Sequence, residues 1–129
     1  MRKSKERKNI TQALVRYARL NVSRGCEDSL DIYRRIEGVC GNNRELALDL
    51  LAVRDLVMIL ILEGDEGTLK ALNEIYFVPF AKCPQKQIRK NTMSYMILRF
   101  AYENNVDERT VYRRLQKARM IWEKTRYSK

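Results

Sequence analysis

The chain has 129 residues, the length of one ordinary domain, and carries 26 Lys and Arg against 16 Asp and Glu, for a net charge of +10. It contains no histidine, which excludes a Ser-His-Asp triad, a Cys-His dyad and the histidine-based zinc motifs. Hydrophobic residues make up 45% of the chain, enough for a modest core and too many for intrinsic disorder. The composition therefore favours a small folded protein that binds by fixed charge over one that transfers protons.

The positive charge is concentrated at the two ends of the sequence. Residues 1–9 have a net charge of +4, residues 10–84 one of −2, and residues 85–129 one of +8. A near-neutral body with basic ends indicates a polyanionic partner, either nucleic acid or an anionic membrane. The alternative is that the lysine and arginine side chains only solubilise helix surfaces.

The cysteines and the apolar runs favour a soluble cytoplasmic protein. Cys26, Cys40 and Cys83 are odd in number and form no CxxC pair, so neither a disulfide framework nor a zinc site fits them. We expect three reduced thiols that serve as small buried apolar groups. The longest uncharged apolar run, Leu56 to Leu62, has seven residues, whereas a membrane span needs about twenty. We therefore expect no metal, no cofactor and no membrane partner.

The predicted elements are all helices, because apolar residues recur at helical spacing and only five Gly and two Pro interrupt the chain. The pattern predicts a flexible basic arm at 1–9 and helices at 10–22, 28–37, 42–63, 68–77 and 108–125. A further helix is predicted to end near residue 104. The 42–63 helix is apolar on nearly all sides, which is typical of a helix buried among neighbours. Asn42 and Glu45 have the spacing of a capping box at its start.

One boundary is predicted inside the chain, in a loop between Pro79 and Pro84 where the composition turns basic. It divides an N-terminal helical bundle, 10–80, from a C-terminal basic unit, 85–129.

The C-terminal basic unit has the residue spacing of a helix-turn-helix motif. This motif needs a small residue in its first helix, a turn residue tolerant of positive φ four positions later, and a β-branched core residue six positions beyond that.

The residues that fill these three places are Ala101, Asn105 and Val111. Asp107 is in addition a good N-cap for the second helix, and Val106 can fix the turn to the core. We therefore predict an all-α fold in which an N-terminal helical bundle is followed by a C-terminal helix-turn-helix.

The second helix of this motif is amphipathic, so its geometry separates an inner from an outer face. The inner stripe consists of Val111, Leu115, Ala118 and Trp122. The outer side chains are long, positive and polar and suit a DNA major groove, where arginine can pair with guanine and glutamine with adenine. The predicted base contacts are Arg109, Tyr112, Arg113 and Gln116. The predicted phosphate contacts are Thr110, Arg114, Lys117, Arg119 and Lys90.

Several of these assignments have alternatives. Tyr112 is either a base or sugar contact or a half-buried amphipathic residue. Thr110 is either a phosphate contact or a second capping group. Lys90 either grips the DNA backbone or only keeps the linker soluble. The basic face as a whole is otherwise a solvated helix surface.

The segment VDERTVYRRLQKAR resembles the recognition segment of sigma-70 region 4-like domains, in which a polar cap, a Thr-Val pair and a basic tail recur. The matching positions are Asp107, Thr110-Val111 and Lys117-Ala118-Arg119. The whole chain is similar to small phage regulators of late gene transcription, the ArpU/RinA-like group of Gram-positive phages. This resemblance is specific over 92–124 and general over 10–80.

The resemblance implies binding to promoter DNA, with RNA polymerase as a second candidate partner. The chain departs from the pattern at Asn105, where glycine is commoner, and it has no room for the region 2 module of a complete sigma factor. The sequence thus predicts a sequence-specific, double-stranded DNA-binding transcription regulator, a phage or prophage late-gene activator acting at a promoter.

Two other hypotheses stay open. One is a protein-interaction module, such as a phage adaptor or inhibitor, that keeps a helix-turn-helix shape. The other is a DNA-binding accessory of packaging or recombination. Dimers are common among such proteins, so a homodimer is also considered, with the 42–63 helix serving either core or interface. No catalytic residue is predicted, because no constellation of bases, nucleophiles or metal ligands is found.

Overall fold

The computed structural model describes residues 2–22, 26–83 and 90–128, with the backbone alone at 2–9 and at 90. The described part of the chain is helical and contains no strand, which confirms the predicted all-α fold. The helices are α1 (Arg2–Arg19), α2 (Leu30–Cys40), α3 (Arg44–Glu63), α4 (Glu66–Leu72), α5 (Val78–Lys82), α6 (Lys90–Glu103) and α7 (Glu108–Tyr127). A π-helical turn, Asn73–Phe77, joins α4 to α5.

The first helix is displaced from its predicted bounds at both ends. It begins at Arg2 and therefore includes most of the segment predicted as a flexible arm. Lys, Arg, Glu and Gln are good helix formers, and neither Gly nor Pro interrupts the stretch. The helix ends at Arg19, before Asn21 takes a left-handed conformation with φ of 54°. The predicted break at Arg24 and Gly25 lies outside the described residues.

Helix α3 is the centre of the fold, as its apolar surface predicts. It packs against α1, α2, α4 and α7, and its fully buried side chains include Leu50, Val53 and Leu60. Its N-cap is Asn43, whose side chain accepts a hydrogen bond from the backbone N–H of Leu46 at 3.1 Å. The prediction of Asn42 as the cap was wrong by one residue. Leu62, near the end of this helix, is 82% exposed, so the helix is not buried along its whole length.

The first part of the predicted loop between Pro79 and Pro84 is helical, whereas Pro84 lies outside the described residues. Pro79 is the second residue of α5, and the π-helical turn before it carries helical backbone onward from α4. The predicted boundary also does not separate two cores. Helix α7 packs on α3, α4 and α1, and buried residues from both sides of the boundary form one hydrophobic cluster.

Two of the three cysteines are not buried. All three thiols are free, but Cys26 and Cys83 are exposed and only Cys40 lies in the core. Burial raises the pKa of Cys40 against the opposing charge of Arg16. Within the described residues, no helix is long and apolar enough to cross a membrane.

Candidate nucleic-acid interface

The turn between α6 and α7 has the conformation that its asparagines predict. Asn105 takes the left-handed conformation, with φ of 54°. The N–H of Val106 donates to the carbonyl of Ala101 at 3.0 Å, and the N–H of Asn105 donates to the carbonyl of Tyr102 at 3.3 Å. This pair of hydrogen bonds is the Schellman pattern that closes a helix C-terminus. The turn therefore redirects the chain within four residues, as a helix-turn-helix requires.

Asp107 is the N-cap of α7, as predicted. Its backbone is extended, and its carboxylate accepts from the N–H of Arg109 at 3.4 Å. The backbone N–H of Thr110 donates to the carbonyl of Asp107 at 3.0 Å. The side chain of Thr110 is half-buried. Thr110 thus lies inside the capped first turn, close to backbone N–H groups that can attract an anion.

The inner stripe of α7 holds the helix against the rest of the protein. Val111, Ala118 and Trp122 are buried, as is Ala101 on α6, while Leu115 is half-buried. The indole N–H of Trp122 donates to the backbone carbonyl of Asp49 on α3 at 3.2 Å. The predicted inner face is confirmed, and its partner is the central helix α3 as well as α6.

The predicted base contacts lie together on the opposite, exposed side of α7. Arg109, Arg113 and Gln116 are exposed, and Tyr112 beside them is 51% exposed. Met120 continues the stripe and is 60% exposed. Within the part of the chain that the structure describes, neither Arg109 nor Arg113 forms an ion pair. We call Arg109, Arg113, Gln116 and Met120 the outer stripe.

Lys117, predicted to bind phosphate, is instead held by two carboxylates of the protein. Its ammonium lies 2.6 Å from Asp65 and 3.3 Å from Glu63, both at the turn between α3 and α4. The hydrogen bond from Lys117 lowers the pKa of Asp65 to about 2, against the opposing effect of burial. Asp65 also caps α4 through the N–H of Thr68 at 3.1 Å. This contact therefore joins α7 to the α3–α4 turn.

The other predicted phosphate contacts are partly engaged as well. The guanidinium of Arg114 lies against Gly67, where an added Cβ would come within 3.0 Å of it. The half-buried Arg119 donates to Gln116 at 3.3 Å and to Glu123 at 3.4 Å. Lys90 is the first residue of α6, and its side chain lies outside the described part.

Two features of the site were missed by sequence reasoning. The first is Arg126, which is mostly buried and binds Asp49 at 2.6 Å and also Glu45. The second is a groove of about 630 Å³ between α7, α1 and α6 that borders the outer stripe. At its base, burial raises the pKa of Tyr76 to about 12, opposed by a hydrogen bond with Thr11. Neither the Arg126 contacts nor the groove can be recognised in one segment of the sequence, because each is formed by residues that are distant along the chain.

The arrangement defines a class of protein: an all-helical domain with a short turn between its last two helices and an exposed basic stripe on the second. No protein-family model, curated protein or solved structure matches the chain. In the described residues, no cluster of three or more carboxylates and thiols is placed to hold a metal ion.

Proposed function

We propose that the protein binds double-stranded DNA by placing the outer stripe of α7 in the major groove. The observation that carries the proposal is the exposure of Arg109, Arg113 and Gln116 on the side of α7 opposite its buried stripe. The major groove admits an α-helix, and its base edges offer partners for arginine and glutamine. The short turn at Asn105 joins α6 to α7 and the two helices pack on each other, which supports a helix-turn-helix mode of binding.

We assign different roles to the polar residues of α7 and to Lys90 of α6. Arg109, Arg113 and Gln116 read base edges, with Tyr112 at their flank. Thr110, Lys90 and Arg114 stay candidates for phosphate contacts, as does Arg119, which also donates to Gln116 and Glu123. Because Lys117 is paired with carboxylates of the protein, we assign it the role of positioning α7 on the α3–α4 turn.

The biological role that fits this chemistry is transcription regulation. The segment from Asp107 to Arg119 resembles sigma-70 region 4-like recognition segments, which favours promoter DNA as the target. On the same ground we propose that the protein is a phage or prophage regulator of late genes, with RNA polymerase as a second partner.

The test is selection of a preferred duplex from a random pool, followed by fluorescence anisotropy over a range of salt concentrations. Each phosphate neutralised by a Lys or Arg side chain would lower affinity about three- to fourfold between about 50 and 200 mM salt. The charge-reversed variant R109E/R113E should not bind, whereas R44E, altered at an exposed arginine outside the stripe, should retain most of its affinity. Failure to enrich any sequence, or affinity that does not change with salt, would contradict the proposal.

A second candidate function is protein binding through the outer surface of α6. Tyr95, Leu98 and Tyr102 recur at helical spacing on one side of α6, and Tyr102 is 87% exposed. Exposed apolar patches of this kind often mark interaction sites. Salt separates the two functions, because apolar association does not weaken as salt rises. A partner whose binding is lost in Tyr102→Ser but kept in R109E/R113E would establish this second function.

A further inference from the structure

The groove beside the outer stripe has the size and composition of a ligand site. Its volume of about 630 Å³ lies within the range of about 300–1,000 Å³ that holds small molecules in proteins. Buried apolar side chains form its floor, among them Leu14, Leu72 and Ile97. Its rim carries Arg109, Arg113 and Arg119.

The charge of the lining restricts what the groove can accept. Among the described residues that line it are three arginines and no carboxylate. Arg119 is shared with Gln116 and Glu123, but Arg109 and Arg113 have no such partner in the described part of the chain. A cation would be repelled here, and a purely apolar molecule would leave the arginines without a partner. An anionic head group on an apolar body satisfies both parts of the surface.

We propose that this groove binds a small organic carboxylate with an apolar body. The carboxylate lies between Arg109 and Arg113, and the apolar body packs against the floor near Leu14 and Ile97. The site draws its parts from α1, α4, α6 and α7 and the π-helical turn, so it exists only in the folded chain.

Such a ligand would also control DNA binding, a step that rests on the proposed function. Arg109 and Arg113 are at once the rim of the groove and members of the outer stripe. A carboxylate that occupies them neutralises one of their two positive charges and blocks both side chains from the DNA, so ligand and DNA compete. By linkage, DNA lowers the affinity for the ligand by the same factor.

The first experiment is calorimetric titration of the full chain without DNA, using 4-phenylbutanoate as the probe. Its matched controls are 4-phenylbutan-1-ol, 4-phenylbutylamine and acetate. We expect the carboxylate to bind about tenfold or more tightly than the alcohol, as one charge-assisted hydrogen bond would give. The amine and acetate should show no saturable binding. Equal affinity for the carboxylate and the alcohol would overturn the role of the arginines.

Two variants locate the site. Arg113→Gln should lower the affinity for 4-phenylbutanoate about tenfold, and Arg44→Gln, a matched change at an exposed arginine elsewhere, should leave it unchanged. Equal losses in both would show general charge attraction and overturn the site. Nuclear Overhauser effects from the phenyl ring to the methyl groups of Leu14 and Ile97 give a readout that needs no variant. Effects only to Val78, which lines a different groove, would place the ligand elsewhere and overturn the proposal.

The competition is tested last, by adding 4-phenylbutanoate to the protein bound to its selected duplex. Displacement by the carboxylate but not by the alcohol supports the coupling. Binding of the carboxylate without displacement would overturn the coupling and keep the ligand site. If no duplex is bound at all, the proposed DNA function fails, whereas the titration without DNA still decides the ligand site.

Discussion

The basic side chains of α7 face two different environments. On the outer stripe, Arg109 and Arg113 are exposed and, among the described residues, form no ion pair. Where α7 meets the α3–α4 turn and α3, Lys117 is held by Asp65 and Glu63, and Arg126 by Asp49 and Glu45. One helix thus carries cations that are available to a partner and cations that the fold already uses.

This difference changes how the net charge should be interpreted. The +8 of residues 85–129 overstates what a polyanion can contact, because part of it is neutralised by carboxylates of the near-neutral body. The paired cations attach α7 to α3 and to the α3–α4 turn. Because they fix the helix there, they set the direction in which the outer stripe points.

The largest expected effect comes from Trp122, which anchors α7 on α3. Trp122→Ala removes a fully buried indole and its hydrogen bond to the carbonyl of Asp49, and we expect the free energy of unfolding to fall by about 3–5 kcal/mol. Met120→Ala, two residues earlier on the outer stripe, should change it by less than about 0.5 kcal/mol. Urea denaturation of both variants measures the difference. Similar losses of stability in Trp122→Ala and Met120→Ala would contradict the division of α7 into a buried stripe and an exposed outer stripe.

Substitution of Arg126 tests whether the cations paired with carboxylates of the protein stabilise the fold. Burial would lower the pKa of Arg126, but hydrogen bonds to Asp49 and Glu45 outweigh burial and raise it. Arg126→Met leaves the carboxylate of Asp49 without its partner and should lower the free energy of unfolding by about 1.5–3 kcal/mol. Lys124→Met, at an exposed position of the same helix, is the matched control and should have little effect. A loss no larger than that of the control would show that the Arg126 contacts do not hold α7.

Features fixed by local rules could be predicted from the sequence. The left-handed Asn105, the cap at Asp107 and the buried stripe from Val111 to Trp122 follow from backbone conformation and helical periodicity. The choice between Asn42 and Asn43 as the cap of α3 could not be made, because either side chain can cap and a shift of one residue decides it.

Contacts between distant residues were beyond prediction. Lys117 and Asp65 are 52 positions apart, and Arg126 and Asp49 are 77 apart. Nothing in the pattern of α7 distinguishes Lys117 from Arg113, since both lie on its polar side. The groove could not be foreseen for the same reason: its lining comes from several helices brought together by the core.

Substitution of Arg113 tests whether the exposed cations of the outer stripe bind DNA. Arg113→Ala should weaken binding to the selected duplex by about 1–3 kcal/mol and relax sequence preference, with the free energy of unfolding nearly unchanged. Lys117→Gln should act in the opposite way, by lowering stability while keeping the salt dependence of DNA binding. Anisotropy on selected and random duplexes over a range of salt concentrations measures affinity, sequence preference and salt dependence. Urea denaturation measures the free energy of unfolding. Equal losses of Arg113→Ala on both duplexes would contradict the assignment of Arg113 to base contacts.

The smallest expected effect is a dependence of stability on pH that arises from Asp65. Its pKa falls from the ordinary value of 3.8 to about 2 in the folded protein, mainly through the hydrogen bond from Lys117. The unfolded chain therefore takes up the proton first as pH falls, so the stabilisation is present above about pH 4 and is lost towards pH 2. Because the pair is partly exposed and solvent screens it, we expect a loss of about 1 kcal/mol.

Two variants separate this contribution from the titration of other carboxylates. Asp65→Asn keeps a residue that can cap α4 but removes the charge, so its free energy of unfolding should fall less between about pH 4 and pH 2. Lys117→Gln removes the cause of the low pKa and should flatten the same interval, whereas Lys124→Gln should follow the unmodified protein. If Lys117→Gln keeps the full pH dependence, Lys117 is not what stabilises the ionised Asp65. It would then be as available to a polyanion as Arg113, and the distinction between the two sides of α7 would rest on Arg126 alone.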